Sequence, residues 1–361
     1  MQALNLTFLQ IDTIVFIRAI YIFLVILSAL FGIILGFTIY KRRIEKNKKA
    51  WHQSLAGIIS QAIVLTEEET INITDEIKKL LKKSIFRRYV IDELIHALKN
   101  LSGASTLNLV HLYEILELNI DSFKKLHSKR WHIKAKGIQE LGIMNQKKYS
   151  REIFRLTNHP NELVRNEAQC SIISLYGFSG LRFLNVAAYP ISKLQQIELL
   201  NKLKGLKPKN SEGFKKWLQS SNESVVIFSL KLATSVNLHN LYDNVVNCLQ
   251  SNCLEIKLNA LEYIKKIPGE NSAGIIVSHY FFNNKIFRLA IIDALRDIGS
   301  ENEISFLLSL LHDEDDEIKA AGAKSLSWLH PLGADFLQAH SFADQDPWKN
   351  IFLEIKNERA A

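Results

Sequence analysis

The amino-acid sequence predicts an all-α protein, an α-solenoid of about seven helix pairs preceded by a single transmembrane helix. Three observations predict this fold. An apolar motif recurs with a period of 31 residues, its apolar positions have helical spacing, and one long uncharged segment lies near the N-terminus. The chain of 361 residues is 47% hydrophobic and 23% charged, which is typical of a globular protein with a large core.

The uncharged segment runs from Ala19 to Tyr40 and consists mainly of Leu, Ile, Phe and Val. A helix of 22 residues is long enough to cross the hydrocarbon core of a bilayer, which is about 30 Å thick. A cleavable signal peptide is the alternative, but no basic segment precedes the apolar run and no small-residue cleavage site follows it. We therefore assign residues 1–40 to a short N-terminus and a transmembrane helix.

The charges beside this span predict its orientation. Only Arg18 precedes it, whereas six cations follow within residues 41–50: Lys41, Arg42, Arg43, Lys46, Lys48 and Lys49. Cationic flanks remain in the cytoplasm, so the N-terminus is expected outside and the rest of the chain in the cytoplasm. The cysteines, Cys170, Cys248 and Cys253, form no paired framework and fit a reducing compartment. We expect a single-pass protein of a bacterial inner membrane.

Small residues recur at every fourth position inside the span, at Ser28, Gly32 and Gly36. Such a stripe lets the backbone of a second membrane helix approach closely, either from another copy of the chain or from a partner. Membrane helices also contain many small residues by chance. Both interpretations stay open from the sequence.

Residues 51–111 lack the repeated motif. Thr74, Asp75 and Glu76 form a helix start before an apolar series, and a further series ends near Gly103. These helices are expected to cap the open end of the solenoid and cover its first apolar face. A separate regulatory module is the alternative.

The repeated motif is clearest between Ile256 and Gly269, where it reads Ile-Lys-x-x-Ala-x-x-x-Ile-x-x-Ile-x-Gly. We call its first residue the anchor. Further anchors at intervals of 31 residues, or close to twice that, are Ile133, Val164, Val225, Phe287 and Ile318. A weakly matching copy of the motif begins at Ser192-Lys193 and includes Leu200, Leu203 and Gly205. The solenoid is therefore assigned to residues 112–361, with a capping helix at its C-terminus.

Each copy of the motif predicts one amphipathic helix, because its apolar positions return to the same helix face. The fourth residue after the anchor is small, as at Gly137, Ala168 and Ala260, which allows a neighbouring helix to approach closely. A second apolar run precedes most copies, so each period contains two helices. Such a pair cannot bury its apolar face alone and must stack on its neighbours.

This arrangement resembles the HEAT-repeat (armadillo-like) α-solenoid proteins, here of a bacterial type with an N-terminal membrane anchor. The resemblance rests on a polar turn followed by an apolar-basic pair, as in Asn158–Arg165 and Asp313–Lys319. HEAT repeats often place an Asp six residues before that basic residue to form a polar ladder. Here only Asp313 does so, and the other copies have Ser128, His159, Ser220, Ser251 and Phe282. The resemblance implies a platform for binding a protein, stacked mainly by apolar burial.

Charge and missing motifs restrict the function. The net charge of +8 divides into +5 for residues 1–50, +4 for residues 51–150 and −1 for the remainder, so the solenoid itself is neutral. A solenoid that binds nucleic acid would carry its charge along the repeats, so we expect no nucleic-acid partner. The sequence lacks the usual phosphate-binding, nucleophile and metal motifs. We therefore assign no catalytic, cofactor or metal residues, and no cofactor.

One basic segment is a candidate binding site. Cations between Lys124 and Lys136 surround an aromatic pair, and the candidate residues are Lys129, Arg130, Trp131, His132 and Lys136. They would bind an anionic partner with Trp131 as the anchor. The alternative is a solvated basic helix face with Trp131 in the core. Trp217, Trp328 and Trp348 are interpreted as packing residues.

Three functional hypotheses follow. The first is a non-enzymatic membrane scaffold whose cytoplasmic superhelix presents a concave face to a protein, for example a membrane enzyme or a signalling component. The second is an enzyme, which would require polar groups converging on a pocket of that face. The third is binding of a membrane surface or nucleic acid by the basic segment, with steep salt dependence.

Overall fold

The computed structural model describes residues 13–64, 71, 73–99, 101, 103–281, 283–329, 349–350, 353 and 357. Within these residues the protein is all-α, with 17 α-helices, short 3₁₀ segments and no strand, which confirms the predicted class. The chain divides into two compact units, Met1–Asp121 and Ser122–Ala361.

The first unit begins with one very long helix. Its helices are α1 (Thr13–Val64), α2 (Asp75–Leu81), α3 (Ser84–Lys99) and α4 (Ala104–Ile115), followed by α5 (Leu118–Leu126), which runs into the second unit.

The second unit contains twelve further α-helices in its described residues. They are α6 (Trp131–Ile143), α7 (Ser150–Arg155), α8 (Glu162–Tyr176), α9 (Lys193–Leu203), α10 (Glu212–Leu218), α11 (Glu223–Ser235), α12 (Tyr242–Cys248), α13 (Leu254–Lys266), α14 (Ser272–Ser278), α15 (Lys285–Ile298), α16 (Ile304–Leu310) and α17 (Asp316–Leu329).

Helix α1 changes character along its 52 residues without a break. The side chains of residues 16–40 are all exposed, whereas Trp51, Leu55, Ile58 and Ala62 are buried at helical spacing. This buried stripe packs on α3 and α4, with the Trp51 ring edge-on to Phe86 at 5.4 Å. The basic residues 41–50 therefore lie within a continuous helix that joins the apolar segment to the core of the first unit.

In the second unit, helices pack on their neighbours in sequence. We call α6, α8, α9, α11, α13, α15 and α17 the second helices, and α7, α10, α12, α14 and α16 the first helices. Each first helix packs on the second helix that follows it in the chain. Second helices also pack on one another, as α13 does on α11 and α15. A continuous apolar core extends from Cys170 to Leu326.

Three of the second helices, α8, α9 and α15, start with the same hydrogen-bonding pattern. The N-cap residues are Asn161, Ser192 and Asn284. The side-chain oxygen of each accepts a hydrogen bond from the backbone N–H three residues later, at 3.0 to 3.3 Å. By this register the anchor of α9 is Gln195, and not Ser192 as the sequence predicted. The prediction was wrong by three residues because a buried amide occupies the position that is apolar in most other copies.

The turn before each second helix explains the departure from the Asp ladder. Five side chains accept a hydrogen bond from the backbone N–H two residues later, at 3.0 to 3.2 Å: Ser128, His159, Ser220, Ser251 and Asp313. Hydroxyl and imidazole groups thus perform the turn-forming role of the Asp. Asp313 also pairs with Arg288 at 2.8 Å. Phe282 lies outside the described residues.

Small residues set the distance between helices. A Cβ atom on Gly137 would lie 2.6 Å from the Leu126 nitrogen and 2.7 Å from the Ser122 oxygen, which are backbone atoms. At another contact, the Ser171 hydroxyl donates to the Ile138 carbonyl at 3.1 Å, and Ser325 donates equivalently to Ile292 at 2.8 Å. The predicted close approach at the fourth residue is confirmed at Gly137.

We expect the substitution Gly137→Ala to loosen the contact between α5 and α6. Alanine favours helix by about 1 kcal/mol over glycine, but overpacking against fixed backbone costs about 1–3 kcal/mol. Amide hydrogen exchange in residues 131–143 of the full chain in detergent should therefore accelerate. Gly57→Ala is the control, because no atom lies within 4 Å of its added methyl group. Unchanged exchange in Gly137→Ala would contradict the packing.

Candidate functional site

The structure separates the predicted basic residues into two groups. Lys129 and Arg130 are exposed just before α6, and neither pairs with a carboxylate of the described residues. Lys136 lies six residues after Arg130, inside α6, and its ammonium is 4.0 Å from the Glu140 carboxylate. Glu140 is completely buried and also pairs with Lys125 at 2.6 Å. The neighbouring Lys125 therefore neutralises a core carboxylate, while Lys129 and Arg130 remain available to solvent.

Trp131 begins α6 with 46% of its surface exposed and contacts His132 edge-on at 5.5 Å. The interpretation that placed Trp131 in the core is therefore wrong, because the helix starts with this residue and its apolar stripe begins further on. Trp217 is buried, as predicted, whereas Trp328 is 51% exposed. Trp348 lies outside the described residues. A binding role for Lys129, Arg130, Trp131 and His132 stays a prediction.

Ser28, Gly32 and Gly36 lie on one face of α1, and that face is open. No atom lies within 4 Å of a Cβ placed on Gly32 or Gly36. The Ser28 hydroxyl donates to the Val25 carbonyl at 2.9 Å, so it is satisfied inside its own helix. The stripe therefore has no polar group that needs a hydrogen-bond partner from outside the helix, and its small side chains allow another helix to pack closely against it. Pairing through it stays a prediction.

A further site joins three second helices. A cavity of about 320 Å³ lies between α6, α8 and α9. Gln139 donates to the Glu167 carboxylate at 3.2 Å, and Lys202 donates to the Ser174 hydroxyl at 3.1 Å. The Cys170 thiol lies 3.8 Å from the Glu198 carboxylate. Sequence reasoning missed this group because residues about 30 positions apart become neighbours only when the helices pack side by side.

Two carboxylates, Glu167 and Glu198, and one cation, Lys202, line the cavity. Burial raises the pKa of Glu167, the nearby Glu198 carboxylate raises it further, and Lys202 opposes both. Burial also raises the pKa of the Cys170 thiol to about 11. The thiol therefore stays protonated at neutral pH and is a poor nucleophile. These groups are suited to accepting hydrogen bonds from a cation or an amide.

Further polar contacts continue along the second helices. Lys231 pairs with Glu255 at 3.5 Å, and Lys193 approaches the same carboxylate at 3.6 Å. On α13 and α15, Lys265 pairs with Asp293 at 3.0 Å and Asp297 at 3.1 Å. Charges of opposite sign thus alternate over short distances. Within the described part of the chain, no group of three or more His, Cys, Asp or Glu residues is placed to hold a metal ion.

Comparisons with known proteins assign no family. No protein-family model matches the chain, and no curated protein matches it. Among solved structures, the chain is similar to the crystal structure of an engineered protein from the Northeast Structural Genomics Consortium, with 13% identity and a TM-score of 0.34. The match covers 77% of this chain and 87% of that chain. This likeness is too low to support an argument about function.

We expect Glu167→Gln to stabilise the protein at pH 7 and not at pH 4. The carboxyl of Glu167 has a higher pKa in the folded protein than in the unfolded chain, where it is 4.5. The native state therefore loses stability as the pH rises from the unfolded pKa through the folded pKa. An uncharged amide removes this loss. The measurement is the thermal midpoint of the full chain in detergent at both pH values.

The control for this pH dependence is Glu270→Gln, which changes an exposed carboxylate outside the cavity. It should leave the difference between the two pH values unchanged. If Glu167→Gln shifted the thermal midpoint equally at pH 4 and pH 7, the raised pKa of this carboxyl would not be the cause of the pH-dependent stability.

A second prediction concerns the small stripe. We expect Gly32→Leu with Gly36→Leu to preserve membrane insertion, because it adds apolar surface, yet to separate paired helices. Energy transfer between labelled copies and crosslinking to membrane proteins would measure pairing. Thr38→Leu is the control, because it adds apolar bulk on the opposite face of the helix. Pairing that survives the double substitution would show that the stripe is not the interface.

Proposed function

We propose that this protein is a membrane-anchored, non-enzymatic scaffold. Helix α1 would cross a bacterial inner membrane once, with the N-terminus outside. The second unit would be a cytoplasmic HEAT-like α-solenoid of about seven helix pairs that binds a protein on the face formed by its second helices. The observation that carries this proposal is the exposed apolar segment of α1 in the same chain as second helices that pack side by side, as α11, α13, α15 and α17 do.

The exposed segment supports a membrane location through its energetics. Helix α1 is long and apolar enough to cross a membrane, with a mean hydropathy of 2.8 and none of the apolar window buried. Leaving about 20 large apolar side chains in water costs on the order of tens of kcal/mol, at about 1.5 kcal/mol or more each. That cost exceeds the usual stability of a domain, about 5–15 kcal/mol. A lipid environment removes it, and Lys41, Arg42 and Arg43 favour the cytoplasmic side.

Local contacts support the solenoid. The turns at Ser128, His159, Ser220 and Ser251 repeat one hydrogen bond at multiples of 31 residues or nearly so. Ser171 and Ser325 repeat one contact with the preceding second helix. An array built from such neighbour contacts exposes a long surface relative to its core, which is suited to binding another protein. The partner could be a membrane enzyme or a signalling component.

The continuity of α1 supports a mechanical role for the first unit. No loop separates residues 16–40 from the buried stripe at Trp51, Leu55 and Ile58, so the anchor and the core around this stripe form one rigid body. Arg87 strengthens this unit by donating to the Glu117 carbonyl at 2.7 Å and to the Leu116 carbonyl at 3.2 Å. The core of the first unit would therefore be joined to the membrane segment by a continuous helix and not by a flexible linker.

Site-specific crosslinking tests the scaffold. A photoreactive residue replacing Ser174, which lines the cavity on the second-helix face, should crosslink a specific protein in intact membranes. The same group replacing Arg151, which is exposed on the first helix α7, is the matched control. A reporter fused after Ala361 should be active only in the cytoplasm. Equal crosslinking from both positions, or a reporter active outside, would contradict the proposal.

A further inference from the structure

Before α9 the regular pairing of helices in the described part of the second unit is interrupted, and a cavity lies at the interruption. The 3₁₀ segment Gly177–Val186 occupies the position of a first helix before α9. Beside this segment and α10 lies a cavity of about 250 Å³. None of its lining residues belongs to the acidic site between α6, α8 and α9. We call it the cationic cavity.

Two glycines shape the cationic cavity. A Cβ atom on Gly180 would lie 2.6 Å from the Ile172 carbonyl oxygen, so only glycine lets the 3₁₀ segment lie so close to α8. A Cβ atom on Gly213 would lie 2.9 Å from the Trp217 ring. Leu181, Phe183 and Leu184 anchor the same segment in the core. The walls are therefore preformed, which lowers the entropic cost of binding.

The cavity combines cations with an aromatic surface. Arg182 and Lys209 line it, whereas no carboxylate does. Within the described residues neither cation forms an ion pair, and Arg182 rests on the Phe154 ring at 5.0 Å. Phe178 is half-buried and supplies the aromatic surface of the cavity, and its ring centroid lies 6.5 Å from that of the buried Phe214. An anion that enters this cavity could bind both cations directly, because neither cation has to leave a carboxylate partner first.

Asn185 adds a directed polar group. Its side-chain oxygen accepts from the Trp217 ring nitrogen at 2.9 Å, which fixes the amide at the wall of the cavity. The amide hydrogens of Asn185 bond to no other described residue, so they remain for a ligand. An amide donor in the same cavity as two cations and an aromatic wall suits a carboxylate attached to an apolar group.

We propose that the cationic cavity binds an acidic-aromatic segment of a partner protein, with an aromatic side chain against Phe178 and an adjacent carboxylate at Arg182 and Lys209. This inference rests on the proposed scaffold function and names the chemistry of its partner. A cavity of about 250 Å³ is smaller than most cofactor sites, which begin near about 300 Å³, but holds one or two side chains.

Ligand binding to the full chain in detergent tests the cavity, with saturation-transfer NMR as the measurement. The probe is N-acetyl-aspartyl-phenylalanine amide, and its matched neutral probe is N-acetyl-asparaginyl-phenylalanine amide. We expect the acidic probe to bind about tenfold more tightly, because its carboxylate makes charge-assisted hydrogen bonds. Added salt should weaken only the acidic probe.

Substitutions locate the binding. The double variant Arg182→Gln with Lys209→Gln should lose the preference for the acidic probe. The control, Lys204→Gln with Lys207→Gln, removes two exposed cations of the same loop that do not line the cavity, and it should keep the preference. All four substituted side chains are exposed, so both variants should fold, which circular dichroism would check.

Three outcomes would overturn the inference: equal binding of the two probes, loss of the preference in the control variant, or benzoate binding as tightly as the dipeptide. The last would identify a small anion and not a peptide as the occupant. Crosslinking from Ser174 tests the scaffold independently of this cavity. If that crosslinking persists while the acidic probe fails to bind, the cavity inference alone is wrong.

Discussion

Close approach between neighbouring helices is the constraint on which the second unit depends. Gly137 meets the backbone of α5 with no room for a methyl group, and Ser171 reaches the carbonyl of Ile138 on the adjoining second helix. Because small residues permit these distances, apolar side chains of both helices fill one core instead of separate ones. The turns before the second helices keep the same register by satisfying one backbone N–H each. Packing and turn chemistry thus impose the same period.

This regular packing also explains where polar groups meet. Glu167 and Glu198 occupy equivalent positions on α8 and α9, and helix packing places them at one cavity. At the interruption the joining contacts become polar: Asn222 donates to the carbonyls of Ala187 and Tyr189, both at 3.1 Å. Since side chains tie this region to the next helix pair, its backbone can depart from helical geometry. The departure leaves room for the cationic cavity.

The first unit follows a different rule. Helix α1 is stable along its length for two reasons, because residues 16–40 suit a lipid environment and Trp51, Leu55 and Ile58 are covered by α3 and α4. One helix is therefore suited to lipid along one part of its length and to the protein core along another. A continuous helix transmits displacement of its membrane segment directly to the core it enters, which a flexible linker would not do.

The sequence by itself determined the all-α class, the apolar segment and the helix starts, because these depend on local spacing, capping and hydropathy. Only the tertiary structure decided the register at Gln195, the pairing of Lys125 with Glu140, the exposure of Trp131 and both cavities. A buried Gln resembles a surface residue in sequence, and a Lys beside a buried carboxylate resembles a free cation. Their roles depend on residues 15 to about 30 positions away, which local patterns do not relate.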